Sequence, residues 1–195
     1  MGTFTFIQIC APTRGSIGQY QEYRTRVTAL VTRINQRFAQ AAHPPVVLKV
    51  EHHEPQAVYE YFRAAELCFV SSLHDGMNLV AKEFVSARDD ERGVLILSHF
   101  TGAARELPEA IIVNPYDTDQ CATALRLALS MPAGEQRARM RLMRGLIQEF
   151  NVYRWAGRML IDAAGMRRRS RLLDHTAALD VSPSTPVGPA TGRAT

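Results

Sequence analysis

The 195-residue sequence contains no apolar run of the roughly 18 residues that a membrane-spanning helix needs, so no membrane span is predicted. Residues 1–5 include neither a basic side chain nor a long apolar stretch, which argues against a secretory signal peptide. Hydrophobic residues make up 46% of the chain and charged residues 22%, as in ordinary globular domains. This composition excludes bulk disorder and a collagen-like fibre, and we expect a cytoplasmic protein with a hydrophobic core.

Cysteine is scarce, and its spacing suits neither disulfides nor metal binding. The three cysteines, Cys10, Cys68 and Cys121, are an odd number and form no C-x-x-C pair. We interpret them as small buried apolar residues in a reducing compartment. The segment His52-His53-Glu54 consists of residue types that can bind zinc. It lacks the H-E-x-x-H spacing, however, and the side chains of adjacent residues point apart. No metal site is predicted.

Three common motifs are also missing from the sequence. No G-x-G-x-x-G follows the first predicted strand, which argues against a nicotinamide- or flavin-binding Rossmann domain. No G-x-x-x-x-G-K-[ST] is present, which argues against a P-loop. The G-x-S-x-G turn of the α/β-hydrolases is absent as well.

The net charge of +4 comes from the C-terminal part of the chain. Residues 151–195 contain seven arginines and three aspartates, whereas residues 1–150 are balanced. A nucleic-acid-binding protein usually spreads its basic residues over a folded face, so nucleic acid is not a predicted partner. We interpret the cluster Arg167–Arg171 as part of a solvated tail. A phosphate-binding patch, or a basic module that binds an acidic partner, is the alternative.

Five short apolar runs predict strands, and amphipathic segments between them predict helices. The predicted strands are residues 4–10, 46–50, 67–70, 94–97 and 110–113. The predicted helices include residues 19–41, residues 78–88 and two or three helices within residues 118–164. Because the strands are continuous apolar runs, we expect an α/β fold with a Rossmann-like parallel sheet and helices on both faces. Residues 1–165 form the predicted domain, and residues 166–195, rich in Ser, Thr, Pro, Gly and Ala, a disordered mobile tail.

Ligands of parallel sheets bind at the carboxyl ends of the strands. The loop formed by residues 74–78, after the third predicted strand, is therefore a candidate binding site. Gly76 can adopt backbone angles closed to other residues, and the start of the next helix presents N–H groups that attract anions such as phosphate. Glu83 lies one turn beyond Leu79 and could accept hydrogen bonds from sugar hydroxyls. The alternative is an ordinary turn with Asp75 or Asn78 as a helix cap and Glu83 in solvent.

A second loop, after the first strand, contains Arg14. Its guanidinium is placed to reach an anion at the same end of the sheet. The alternative is an arginine on the surface of a loop, which is the more frequent situation.

The segment Ser72–Val85, SLHDGMNLVAKEFV, resembles the signature of the trehalose-6-phosphate synthases, retaining glycosyltransferases of the two-domain GT-B architecture. Ordered flanking motifs agree with it: Gln8-Ile9 with Ala11-Pro12, Tyr20-Gln21-Glu22, Arg33-Ile34-Asn35, Gly93–Ser98, Thr101–Ala104 and Val113–Asp117. The resemblance extends over residues 3–160. It implies transfer of glucose from UDP-glucose to glucose 6-phosphate, which gives trehalose 6-phosphate and UDP.

The resemblance also implies roles for individual residues. Asp75 is the expected catalytic residue and binds hydroxyls of the donor glucose, Glu83 holds the ribose hydroxyls, and His53 makes backbone contacts to uracil. The expected cradle for the sugar and the diphosphate is Gly76, Met77, Asn78, Leu79 and Val80. Arg14 is expected to bind the phosphate of the acceptor. No metal or other cofactor is expected, since protein cations and helix dipoles stabilise the leaving diphosphate.

Only the C-terminal, donor-binding half of the family is represented in the sequence. The N-terminal half supplies most acceptor contacts, so we expect this chain to be inactive alone and to need either a separate N-terminal half or a homo-oligomer. One alternative is a truncated or split-gene product that binds a nucleotide sugar without catalysis. Another is a glucosylglycerol-phosphate synthase fragment, since the acceptor is selected largely by the other half.

Overall fold

The computed structural model describes residues 4–12, 18–38 and 43–180, with residues 174–180 described by their backbone alone. The elements are, in chain order, β1 (Phe6–Cys10), α1 (Gly18–Phe38), β2 (Val46–Val50), α2 (Pro55–Ala64), β3 (Leu67–Val70), α3 (Leu79–Ala87), β4 (Val94–Ser98), α4 (Ala103–Glu106), β5 (Ile111–Val113), α5 (Thr118–Ser130), α6 (Ala133–Glu149) and α7 (Val152–Asp180). The alternation of strands and helices confirms the predicted α/β class.

All strand pairs in the described residues are parallel, as the continuous apolar runs predicted, and they form two hydrogen-bonded sheets. One sheet pairs β1 with β2, with Phe6 opposite Val46. The other has the order β3-β4-β5, with Leu67 opposite Val94. Within the described residues, the end strands β1, β2, β3 and β5 therefore each have one edge without a ladder.

The core is centred on β4, whose five residues are all buried. Leu95 and Leu97 pack on one face with residues of α3 and α6, including Phe84 and Met140. Val94 and Ile96 pack on the other face with Ala124 and Ala128 of α5. Alternate residues of a strand point to opposite faces, so this pattern confirms the prediction of helices on both faces of the sheet.

The unit formed by β1, α1 and β2 is much less buried than the β3–β5 sheet. No residue of α1 is buried, and Tyr23 and Phe38 are among its exposed aromatic side chains. Ile7 in β1 is 45% exposed. β1 begins at Phe6 rather than at residue 4, because the Phe6 N–H makes the first ladder bond, to Pro45 O at 2.8 Å. The predicted last residues of α1, 39–41, lie outside the described residues.

A buried arginine joins the ends of α2 and α3. The Arg88 guanidinium donates to the carbonyls of Phe62, Arg63 and Ala65 at 2.6–3.2 Å and forms an ion pair with Asp90. Arg88 is 5% exposed. Since the last carbonyls of a helix lack partners within the helix, Arg88 replaces water as the cap of α2 and fixes the position of α3.

The C-terminal part contains three helices, the larger of the two numbers predicted. α7 continues to Asp180, beyond residue 166 where the tail was expected to begin. Arg, Leu and Ala, which are frequent between residues 166 and 180, are strong helix formers, and this explains the difference. The division into a domain and a tail stays a prediction, and residues 181–195 lie outside the described residues. No helix in the described part of the chain is both long enough and apolar enough to cross a membrane.

Candidate functional site

The loop between β3 and α3 bends into the helix through a left-handed residue. Asn78 has φ = 56° and ψ = 82°, and its Oδ1 accepts a hydrogen bond from the Ala81 N–H at 2.9 Å. Asn78 is thus the helix cap that the sequence offered as one interpretation. The expectation that Gly76 supplies the unusual backbone angles is wrong, because among the described glycines only Gly93 has a positive φ. Asn tolerates the left-handed region better than most residues and caps a helix as well.

Asn78 also forms a hydrogen bond with Asp75, the predicted catalytic carboxylate. Asn78 Nδ2 donates to Asp75 Oδ2 at 2.7 Å and lies 3.5 Å from Ser72 Oγ. Asn78 is only 6% exposed, whereas Asp75 is exposed. A buried amide with both its oxygen and its nitrogen bonded is rigid, so the Asp75 carboxylate is held at the surface of the loop in one orientation.

α3 has a buried face and an exposed face. Ala81, Phe84, Val85 and Ala87 are buried in the core. Leu79, Val80 and Glu83 are exposed, and so is Met77 just before the helix. Leu79 and Glu83 are one turn apart and lie on the same side of α3. The structure therefore places the predicted donor-binding side chains of α3 on its solvent side.

Glu83 and its neighbour Lys82 have different surroundings. Lys82 Nζ forms an ion pair with Glu106 Oε2 of α4 at 2.5 Å. The Glu83 carboxylate is exposed, and within the described residues it takes part in neither an ion pair nor a side-chain hydrogen bond. An exposed carboxylate on the first turns of a helix, beside backbone N–H groups, can accept hydrogen bonds from hydroxyl groups of a ligand.

The loop after β4 supports the loop after β3 through two backbone hydrogen bonds. The Asp75 N–H donates to Phe100 O at 3.2 Å, and the Gly102 N–H donates to Gly76 O at 2.5 Å. In the sequence, Thr101 and Gly102 belong only to a flanking motif of the resemblance, and Phe100 belongs to none. No local pattern in the sequence indicates this contact between two loops.

His53 lies at the carboxyl end of β2 with a buried imidazole. Its side chain is 9% exposed and stacks on the Tyr61 ring at 5.5 Å, and its Nε2 has no hydrogen-bond partner. The Lys49 ammonium lies 5.9 Å from the same ring, and a hydrogen bond with Tyr61 raises the pKa of Lys49. The His53 ring is therefore part of the packing between β2 and α2.

The neighbouring His52 points elsewhere, as the sequence predicted. Its side chain is 76% exposed, and its Nε2 lies 3.8 Å from Glu54 Oε1. Within the described residues, no group of three or more His, Cys, Asp or Glu side chains is arranged to hold a metal ion. The predicted acceptor-binding residue Arg14 lies outside the described residues.

Comparisons with known proteins agree on one family. The model of Glycosyltransferase family 20 matches residues 1–164. The trehalose-6-phosphate synthase of Klebsiella pneumoniae subsp. pneumoniae is 41% identical over 170 residues, which are 87% of this chain and 36% of that protein. The trehalose-6-phosphate synthase of Sodalis glossinidius is 41% identical over 162 residues, with 83% of this chain and 34% of that protein covered. The chain spans about a third of the length of these curated relatives.

Solved structures support the same relationship. An alpha,alpha-trehalose-phosphate synthase (UDP-forming) from Burkholderia xenovorans, in complex with glucose-6-phosphate, is 45% identical with a TM-score of 0.78 over 81% of this chain and 35% of that one. An E. coli structure bound with UDP-2-fluoro glucose is 38% identical with a TM-score of 0.80, over 83% of this chain and 36% of that one.

Proposed function

The chain belongs to glycosyltransferase family 20, and we propose that its β3–α3 loop and α3 bind UDP-glucose as a glycosyl donor. The observation that carries the proposal is the arrangement of two carboxylates, Asp75 and Glu83, at the carboxyl end of a parallel sheet on the exposed side of one helix start. The relative bound with UDP-2-fluoro glucose supports the choice of ligand. In parallel sheets, ligands bind at this end of the strands.

The proposed contacts follow the order of the residues along the loop and helix. Asp75 binds hydroxyls of the glucose as the catalytic residue. The backbone of residues 76–78 faces the sugar and the diphosphate, with Leu79 and Val80 beside them. Glu83 binds the ribose hydroxyls, and the His53 backbone contacts uracil. The positive end of the α3 dipole stabilises the diphosphate, so the proposal needs no metal ion and no cofactor.

The proposed reaction is transfer of glucose from UDP-glucose to glucose 6-phosphate with retention, as in trehalose biosynthesis. The bond from the anomeric carbon to the UDP oxygen breaks, and a bond to the oxygen of an acceptor hydroxyl forms on the same face of the sugar. The hydroxyl proton passes to the departing UDP oxygen. Arg14 binds the acceptor phosphate in this proposal. A relative in complex with glucose-6-phosphate supports the acceptor. A glucosylglycerol-phosphate synthase reaction is the alternative with the same donor.

We propose that transfer needs a second polypeptide segment, the N-terminal half found in the longer relatives, and that this chain alone binds the donor without catalysis. The chain spans about a third of those relatives, which supports the proposal. The low burial of β1 and α1 also supports it, because parallel strands are normally covered on both faces. A homo-oligomer that covers the same surface is the competing assembly.

We also propose that the protein is cytoplasmic, because its cysteines are unpaired. Cys10, Cys68 and Cys121 are free cysteines. Burial raises the pKa of the Cys68 thiol to about 12, so this side chain stays a neutral apolar group at physiological pH. The three side chains are half-buried rather than buried as expected, and unpaired thiols are common in proteins of the reducing cytosol.

Titration of the purified chain with UDP-glucose by isothermal calorimetry tests the donor proposal. We expect saturable heat at millimolar ligand or below, and no trehalose 6-phosphate when glucose 6-phosphate is added. An absence of heat at millimolar UDP-glucose contradicts the donor site. Formation of trehalose 6-phosphate by the chain alone contradicts the need for a second segment.

A further inference from the structure

At Gly102, in the loop after β4, a side chain would collide with a neighbouring loop, although the backbone angles would allow any residue. Its φ of −60° and ψ of −36° are those of a right-handed helix, which any residue adopts. An ideal Cβ at this position would lie 2.5 Å from Gly76 O and 3.3 Å from Gly76 C. Both neighbours are backbone atoms, so no flexible side chain can move away. Only glycine allows the two loops to approach this closely.

The turn that contains Gly102 is anchored on the most buried strand. Thr101 is 3% exposed, and its hydroxyl donates to Ser98 O at 2.9 Å. Ser98, the last residue of β4, is fully buried. The Gly102 N–H therefore has a fixed position when it donates to the Gly76 carbonyl, and the Gly76 carbonyl is held from behind.

Holding this carbonyl also fixes the next N–H. In a trans peptide unit, the carbonyl of one residue and the N–H of the following residue point in opposite directions. The Gly76 carbonyl points towards Gly102, so the Met77 N–H points away from the loop after β4. Within the described residues the Met77 N–H makes no hydrogen bond, and a Cβ at Gly76 would have no atom within 4 Å. The Met77 N–H is therefore a donor without a partner in the described residues, and the Gly76 carbonyl fixes its direction.

We propose that Gly102 is a positioning residue for donor binding: its N–H holds the Gly76 carbonyl and thereby aims the Met77 N–H at an oxygen of the nucleotide sugar. The inference rests on the proposed function and adds to it a residue outside the predicted binding set. The chain of two hydrogen bonds through one peptide unit polarises that unit, which strengthens the outer bond. Gly102 itself does not touch the donor.

The test compares Gly102→Ala with Gly134→Ala in a ¹⁵N,¹³C-labelled chain. Gly134 lies in α6, and an ideal Cβ there has no atom within 4 Å, so it is the matched control. We expect UDP-glucose to shift the Met77 amide resonance in the wild type. Gly102→Ala shifts the Gly76 carbonyl resonance of the free chain, lowers the thermal midpoint and weakens UDP-glucose binding about tenfold, the equivalent of one hydrogen bond. Gly134→Ala leaves the carbonyl resonance and the affinity unchanged.

If Gly102→Ala does not fold, a milder variant, Thr101→Val, tests whether this turn supports UDP-glucose binding. Thr101→Val removes the bond to Ser98 without a clash at Gly76, and we expect about threefold weaker UDP-glucose binding. Wild-type affinity in a folded Gly102→Ala or Thr101→Val chain overturns the inference alone. A Met77 amide that does not respond to saturating UDP-glucose also overturns it. A wild-type chain that binds no UDP-glucose overturns the proposed function and this inference together.

Discussion

The Asn78 side chain donates to Asp75 Oδ2 at 2.7 Å while its oxygen caps the first turn of α3 at Ala81. One buried amide thus connects the predicted catalytic carboxylate to the helix dipole behind it. The left-handed φ of Asn78 costs about 1 kcal/mol for an ordinary residue, and asparagine reduces that cost. Strain at such a position is typical of functional loops.

Replacement of the Asn78 amide by a carboxylate removes the hydrogen bond to Asp75 and keeps the one that caps α3. In Asn78→Asp, the new oxygen still caps Ala81, but the donor to Asp75 is lost and two carboxylates face each other. We expect the free energy of unfolding to fall by about 1–3 kcal/mol, because a buried carboxylate now faces Asp75, and UDP-glucose affinity to fall about tenfold. Urea unfolding and calorimetry measure the two quantities.

Asn78→Ala is the companion variant, because it removes the cap as well as the bond to Asp75. It should lower the free energy of unfolding by about 1–2 kcal/mol, from the lost cap and the left-handed backbone. If Asn78→Asp binds UDP-glucose as tightly as the wild type, the bond to Asp75 does not prepare the site.

Among the polar side chains of the described fold, we expect substitution of the buried Arg88 to lower the free energy of unfolding the most. Arg88→Met leaves the carbonyls of Phe62, Arg63 and Ala65 without their donor, and we expect a loss of about 3 kcal/mol or more in urea unfolding. Arg63→Met is the control, since Arg63 is paired with Asp89 in solvent. Equal losses for the two variants would contradict the assignment of Arg88 as the cap of α2.

The ion pair between Glu91 and Arg141 predicts a pH dependence of stability. Hydrogen bonds from Arg141 lower the pKa of Glu91 below its unfolded value of about 4.3. The pair therefore stabilises the fold above that value, and its contribution disappears as the pH falls through the folded pKa. Unfolding free energies measured from about pH 6 down to about pH 3 should fall less steeply for Glu91→Gln than for the wild type. Identical slopes would contradict the pair.

Among the strand edges that have no ladder in the described part of the chain, we expect the proposed second segment to bind at those of β1 and β3. The Phe6 N–H donates towards β2, and Glu66 O accepts from β4. Since successive residues of a strand alternate in direction, the N–H groups of Ile7 and Leu67 face the unpaired edges. Ile7→Pro should abolish pairing of an added strand and leave the β1–β2 ladder intact, because proline is tolerated at an edge.

The partner used in this experiment is the part of the K. pneumoniae synthase that precedes the aligned region, produced as a separate chain. We expect it to slow hydrogen exchange at the Ile7 and Leu67 amides and to bind the Ile7→Pro variant more weakly. Gln8→Pro is the contrasting variant, since it breaks the β1–β2 ladder and should lower stability. Unchanged exchange, or a dimer of this chain that protects β1 instead, would contradict the proposed partner.

The sequence predicted the strand positions well because each strand is a short continuous apolar run between Pro, Gly or polar residues. It also predicted the start of α3 to within one residue, since Asn78 is both a good cap and the last polar residue before an apolar stretch. It did not predict two separate sheets, because strand pairing depends on contacts between distant segments. The length of α7 was also missed, because composition alone did not distinguish a polar helix from a tail.

In the site, the loop and helix could be predicted, but the support behind them could not. Asp75, Asn78 and Glu83 lie within nine residues, so local spacing places them together. The contact of Gly76 with Gly102 joins two loops that are separated by a helix and a strand, and no local pattern encodes it. The left-handed angle fell on Asn78 rather than Gly76, because the helix needs its cap at that position.

We propose that α3 presents Glu83 to the ribose of a uridine nucleotide, and the direct test is a calorimetric titration of UDP into three chains. Glu83→Ala should bind UDP about tenfold more weakly than the wild type, because charge-assisted hydrogen bonds to the ribose hydroxyls are lost. Glu60→Ala, which removes another exposed helix glutamate, on α2, should bind UDP as the wild type does. Equal UDP affinities for the wild type and Glu83→Ala would contradict the role of Glu83 in ribose binding.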